Sequence, residues 1–153
     1  MTHPIDPQPL GGAFEGREHR LPVRVYYEDT DFTGFVYHAS YVRFFERGRS
    51  DFLRLAGVDH VAMAQLQTAF AVVRLEVDFL RAAGIDDALI VRTTFDKIKG
   101  PRLLMSQRIT RGDDLLAGAK VEAVCIDQNG RARRPPPQLA LALQPKLAPE
   151  AKS

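Results

Sequence analysis

Apolar and polar residues alternate through LPVRVYY. Leu21, Val23, Val25 and Tyr27 fall on one side of an extended chain, with Pro22, Arg24 and Tyr26 on the other. That is the period of a half-buried strand. Further on, ASYVRFFERGRSDFLRLAG changes to helical spacing. Tyr41, Phe44, Phe45, Gly48, Phe52 and Leu55 form one stripe, while Arg43, Glu46, Arg47, Arg49, Asp51 and Arg54 mostly face away. Ser40 or the residues just before it can cap this helix, and Gly57 can end it. DHVAMAQLQ can add one or two helical turns. From Ala69 the period returns to two, with Ala71, Val73, Leu75, Val77 and Phe79 alternating with Val72, Arg74, Glu76 and Asp78. DALIVRTTFDKIK, PRLLMSQRIT and DLLAGAKVEAVCID supply three more strands. Their connections, KGP and RGDD, are short and turn-like, which predicts antiparallel neighbours. One long amphipathic helix facing a strand-rich remainder predicts an α+β fold, a sheet wrapped on a helix.

The two ends read differently. Residues 1–19 carry Pro and Gly without periodicity and are expected to be flexible. Residues 131–153, RARRPPPQLALALQPKLAPEAKS, join a proline run to a polar end. They are expected to be mobile or laid loosely on the surface, with one short helix in PPPQLALALQ. A single folded domain, 20–130, lies between them. A net charge of +2 and a pI near 8.8 are too mild to imply nucleic acid, although a local basic cluster can still hold a phosphate. The lone Cys125 rules out an intramolecular disulfide and a cysteine-based metal site, and it suits a reducing cytoplasm. The first residues lack the basic start and apolar stretch of a secretion signal. No apolar run approaches the roughly 20 residues of a membrane-spanning helix.

Candidate chemistry concentrates in YYEDTDFTGFVYHASY, residues 26–41. A helix entered from a glycine-containing loop presents unpaired backbone N–H groups, here at about Tyr37 to Ser40. Such an end can bind a phosphate or polarise a carbonyl oxygen. A carboxylate beside a polarised carbonyl can act as nucleophile or as general base on water, so acyl transfer or hydrolysis fits both parts. Other readings stay open at this level. The acids of Asp29-Thr30-Asp31 also suit a turn in which they only cap local N–H groups. A Mg²⁺ site would want a P-loop or a third well-spaced carboxylate, and neither is present. His38 also reads as a solvated histidine, and Tyr27 as a core residue on the face of Val23 and Val25. Alternation does not choose between Asp29 and Asp31, which share parity with Tyr27.

The pattern Tyr27-x-x-x-Asp31, then Gly34, then VYHASYVRFFERGRSDFLR, resembles the 4-hydroxybenzoyl-CoA thioesterase family of hotdog-fold proteins. Within it, the chain is most similar to the YbgC-like acyl-CoA thioesterases associated with the Tol–Pal system. The resemblance covers roughly residues 21–130, and Tyr26 to Phe45 is its specific part. It implies a hotdog fold, an antiparallel sheet wrapped round one long central helix. It also implies a thioester hydrolase acting on a short- to medium-chain or aromatic acyl-CoA, or on an acyl carrier protein thioester. The alternative is a non-catalytic hotdog module that binds acyl-CoA or a partner protein, which would have no use for an acid beside the carbonyl. Neither cofactor nor metal is implied. The family's catalytic aspartate matches Asp31, with Tyr27 and His38 near the site. The loop glycine matches Gly34, and the backbone N–H of His38 matches the oxyanion donor. Glu28 and Asp29 take no role. In relatives the CoA nucleotide lies on basic side chains near a strand end of a neighbouring subunit, which matches Lys97, Lys99 and Arg102 in DKIKGPR; a solvated basic turn would look the same. The expected assembly is a homodimer or homotetramer, because one sheet on one helix leaves an edge strand and a sheet face open.

Overall fold

Six strands form one antiparallel sheet in the order β1-β2-β4-β5-β6-β3. The strands are β1 (Ala13–Glu15), β2 (Glu18–Arg24), β3 (Thr68–Phe79), β4 (Ala88–Lys99), β5 (Arg102–Arg111) and β6 (Asp114–Asp127). The helices are α1 (His38–Leu55), α2 (His60–Gln65) and α3 (Pro137–Leu143). The computed structural model describes residues 9–149. This is the hotdog arrangement, with α1 laid across β2, β4 and β5. Among the described residues no helix is long and apolar enough to cross a membrane.

The stripe along α1 is the core. Phe44, Phe45 and Phe52 are fully buried, and Tyr41 nearly so. Gly48 lets the helix come close to the sheet, because a Cβ there would stand 2.8 Å from Val91 Cγ1. At the end of α1 Leu53 turns inward while Leu55 is exposed. The Gly57 N–H donates to the Arg54 carbonyl and the Val58 N–H to that of Leu53. This closes the helix at the expected glycine.

Three expectations need correction. In β3, the register slips between Val72 and Arg74. A bulge reverses the faces, so Val72 is set opposite buried Ala123 and Leu75 opposite buried Val121. Ala71 and Val73 therefore do not share the face of Leu75, Val77 and Phe79. The N-terminal segment enters the sheet early. Residues 13–15 and 18–19 are strand and His19 is fully buried. A strand as short as β1 is invisible to periodicity. Of the rest of the flexible-segment expectation, residues 9–12 and 16–17 lie outside any strand, and residues 1–8 lie outside the described residues.

The tail is docked rather than loose. Leu139 and Leu143, one helical turn apart on α3, are fully buried. Leu147 bridges the backbone of Phe95. Lys146 Nζ stands 4.1 Å from the Phe14 ring centre and donates to the Gly16 carbonyl. Average composition hid two leucines that face the same way. Residues 150–153 lie outside the described residues.

Candidate active site

Strand β2 ends at Arg24, and the chain turns through one 3-10 turn, Tyr27–Asp29. Asp29 is buried. Its Oδ2 accepts the Tyr26 N–H at 2.8 Å, and its carbonyl accepts the Tyr37 N–H at 2.9 Å. Asp29 therefore ties this turn to the residue that precedes α1. Tyr27 is 81% exposed. It does not lie on the face of Val23 and Val25, because the strand has already ended.

Asp31 opens a second, tighter turn. The Gly34 N–H donates to the Asp31 carbonyl at 3.0 Å and the Asp31 N–H to the Phe35 carbonyl at 3.1 Å. Gly34 has φ +83°, a left-handed conformation that closes the turn and strains any residue with a Cβ. Asp31 Oδ1 accepts the Thr33 hydroxyl and the Thr33 N–H, the latter at 2.9 Å. The Thr33 hydroxyl, then the Thr33 N–H, and finally the nearby His38 hold the Asp31 carboxyl below the usual carboxylate range. Oδ2 takes no hydrogen bond among the described residues.

α1 begins at His38, with Tyr37 as N-cap and no side-chain capping bond. The His38 and Ala39 N–H groups therefore have no acceptor within the helix. Ser40 does not cap it. Ser40 sits inside the first turn, almost fully buried, with its Oγ unpaired among the described residues. The uncapped helix start thus stays available to an oxygen ligand. The His38 ring is exposed, 4.4 Å from the Tyr37 ring and 6.3 Å from that of Phe79. Phe32, at the tip of the turn, is fully exposed, and Tyr26, Phe35, Phe79 and Leu80 are exposed as well. The apolar side of the site is open within one chain.

Asp31, Gly34 and the start of α1 at His38 come together. Lys97, Lys99 and Arg102 do not join them. Arg24, just before the site, pairs with Ala88 at the start of β4, whereas Lys97 and Lys99 lie at its end. At about 3.3 Å per residue the two ends of β4 are roughly 35 Å apart. Lys97 and Lys99 are exposed, while Arg102 is ion-paired with Glu122 at 2.8 Å. Among the described residues no group of three or more His, Cys, Asp or Glu could hold a metal ion.

One supporting element escaped the sequence reading. The loop 80–87 meets the site turn, where the Val36 N–H donates to the Ala83 carbonyl at 2.9 Å and Phe35 bridges Gly84. RAAGIDD carries neither periodicity nor a residue pattern that announces such a contact.

Residues 25–147 match the family model described as the thioesterase-like superfamily. The acyl-CoA thioesterase YbgC of Haemophilus influenzae is 45% identical over 108 residues, covering 70% of this chain and 79% of the relative. The acyl-CoA thioester hydrolase YbgC of Escherichia coli is 43% identical over 109 residues, covering 71% and 81%. Among solved structures, a probable thioesterase from Bartonella henselae superposes with a TM-score of 0.75 at 42% identity, covering 78% of this chain and 99% of that one.

Proposed function

The chain belongs to the thioesterase-like superfamily and is a thioester hydrolase of the YbgC type, and from that premise we propose that it cleaves acyl-CoA with Asp31 as its catalytic carboxylate. The observation that carries this is the pairing of a half-engaged carboxylate on a rigid turn with the uncapped start of α1. With the thioester carbonyl oxygen on the His38 N–H, charge that develops on that oxygen meets a donor already in place. Asp31 Oδ2 then attacks the carbonyl carbon. The C–S bond breaks, CoA leaves as its thiolate, and water hydrolyses the resulting anhydride. Alternatively Oδ2 takes a proton from the water that attacks. Both routes need the ionised carboxylate that the Thr33 contacts favour. The Tyr27 and His38 side chains flank the acyl thioester.

The substrate class is a short- to medium-chain or aromatic acyl group on CoA or on acyl carrier protein. The exposed aromatic residues around Asp31 suit an apolar acyl group. Lys97, Lys99 and Arg102 bind the nucleotide phosphates of a substrate held by a second copy, since they lie toward the end of β4 opposite to the one beside the site turn of their own chain. A homodimer or homotetramer in the cytoplasm, formed through the open edge of β3, provides that neighbour. The enzyme is expected to serve cells that carry the Tol–Pal system.

Release of free thiol from a panel of acyl-CoA substrates, run on the parent protein and on Asp31→Asn, tests the proposal. The amide keeps the shape and one acceptor oxygen, so binding should persist. Turnover should fall by roughly 10²–10⁴-fold. Near-normal hydrolysis by the variant would end the assignment of Asp31.

A further inference from the structure

Hydrolysis at this site needs Asp31 and the first N–H groups of α1 held at a fixed separation. One attachment precedes Asp31, from the Tyr37 N–H to the Asp29 carbonyl. With the Asp31 N–H to Phe35 carbonyl bond it makes the Thr30–Val36 bridge, which ties the turn to the residues leading into α1. A further attachment runs from that bridge through the loop 80–87 into α1. One turn into α1, the Tyr41 hydroxyl accepts the Ala83 N–H at 3.0 Å. The Ala83 carbonyl accepts the Val36 N–H at 2.9 Å, and the carbonyl of the adjoining Phe35 accepts the Asp31 N–H at 3.1 Å.

The loop is itself braced from behind. Asp87 Oδ2 accepts the Gly84 N–H and Arg111, each at 2.8 Å. The Val25 N–H donates to the Asp87 carbonyl, and the Asp86 N–H donates to the Val25 carbonyl. Asp86 has φ +68°. Aspartate adopts that left-handed region more readily than most residues, and these bonds hold it there.

The hydroxyl of Tyr41 is not needed for packing. Its ring is 4% exposed and lies 5.6 Å from the Phe79 ring and 6.3 Å from that of Phe44, so phenylalanine would fill the same space. What the oxygen does is satisfy Ala83, a buried loop amide that is costly to leave unpaired. We propose that Tyr41 is a positioning residue for thioester hydrolysis, its hydroxyl locking the loop 80–87 to α1 so that the loop fixes Asp31 relative to the helix start. Carboxylate and oxyanion donors are thereby referenced to one rigid element. The inference rests on the reading of Asp31 as the catalytic carboxylate.

The experiment compares kcat and KM for an acyl-CoA, by thiol release, in Tyr41→Phe, Asp31→Asn and the double variant. Tyr41→Phe is expected to lose about 10- to 100-fold in kcat with KM within about twofold, because small misplacements of a reacting group cost rate rather than affinity. Acting through Asp31, it should cause no further loss in the Asp31→Asn background. Unchanged kcat in Tyr41→Phe beside an inactive Asp31→Asn overturns the role of Tyr41 and leaves that of Asp31 standing. Losses that multiply in the double variant overturn it as well. Full activity in Asp31→Asn overturns both. Should Tyr41→Phe not fold, Asp87→Ala removes the acceptor of both Gly84 and Arg111 and loosens the same loop from its other side. A fall in kcat at constant KM supports the proposal there, and unchanged kcat overturns it.

Discussion

The two ends of α1 hold their carboxylates in opposite ways. At the start, Asp31 stands on the side of a turn with one oxygen bonded to Thr33 and the other without a hydrogen bond among the described residues. In the last turns, Asp51 is fully engaged. Its Oδ2 meets the Gly12 N–H at 2.8 Å and His19 Nε2 at 2.7 Å, and its Oδ1 accepts Arg54. Burial pushes the Asp51 carboxyl up, but Gly12, Arg54 and His19 outweigh it and hold it below the usual range. His19 is fully buried with Nδ1 unpartnered among the described residues, and burial lowers its pKa despite Asp51. The neutral ring donating from Nε2 fits this pocket. A carboxylate whose oxygens are all occupied is structure; one with capacity to spare beside unpaired N–H groups can do chemistry.

The comparison breaks most readily at the far end. Phe52 stacks on Phe95 at 4.3 Å and meets Phe14 edge-on at 4.9 Å, and from the tail Leu147 bridges Phe95 and Lys146 stands over the Phe14 ring. A chain ending at Arg133 loses Leu139 and Leu143. It should be destabilised by about 3–6 kcal/mol, taking 1.5–3 for each buried leucine. Urea denaturation measures this, and an unchanged midpoint would mean that the tail contributes nothing.

At the near end, Asp31→Asn should lose turnover without losing stability, while Asp29→Asn should keep turnover within about threefold. The amide can still accept the Tyr26 N–H. A loss confined to the Asp29 variant would exchange the roles of the two acids.

Asp51→Ala should show the reverse signature, about 2–3 kcal/mol of stability lost with kcat nearly unchanged. The same cluster sets a pH dependence. Both folded-state pKa values are depressed, so both contributions are complete at neutral pH and are lost on acidification. His19 acts first, below its ordinary value of about 6.5, and Asp51 below the ordinary carboxylate range. A melting temperature flat between pH 7 and 5 would count against His19 being buried neutral.

The smallest effect is expected at the basic hairpin. Replacing Lys97, Lys99 and Arg102 with alanine should raise KM severalfold with little change in kcat, and added salt should act in the same direction. Unchanged KM would leave the hairpin a solvated face.

The sequence alone carried the period of β2, the stripe of α1 and its end at Gly57, the antiparallel order of β4 to β6, and the segment that holds Asp31, Gly34 and His38. These are local signals, repeated every two or four residues or contained within one turn. Alternation left Asp29 and Asp31 equivalent, and the family resemblance favoured Asp31. The tertiary structure adds that Asp29 is buried while Asp31 keeps one oxygen without a hydrogen bond among the described residues, because both depend on where the strand stops and what packs on the turn. It alone seated Leu139 and Leu143, reversed the faces of β3 at one bulge, and brought Ala83 to Tyr41 across 42 residues. Each of these is a contact between distant segments, whose energy comes from burial and hydrogen bonding that no local pattern encodes.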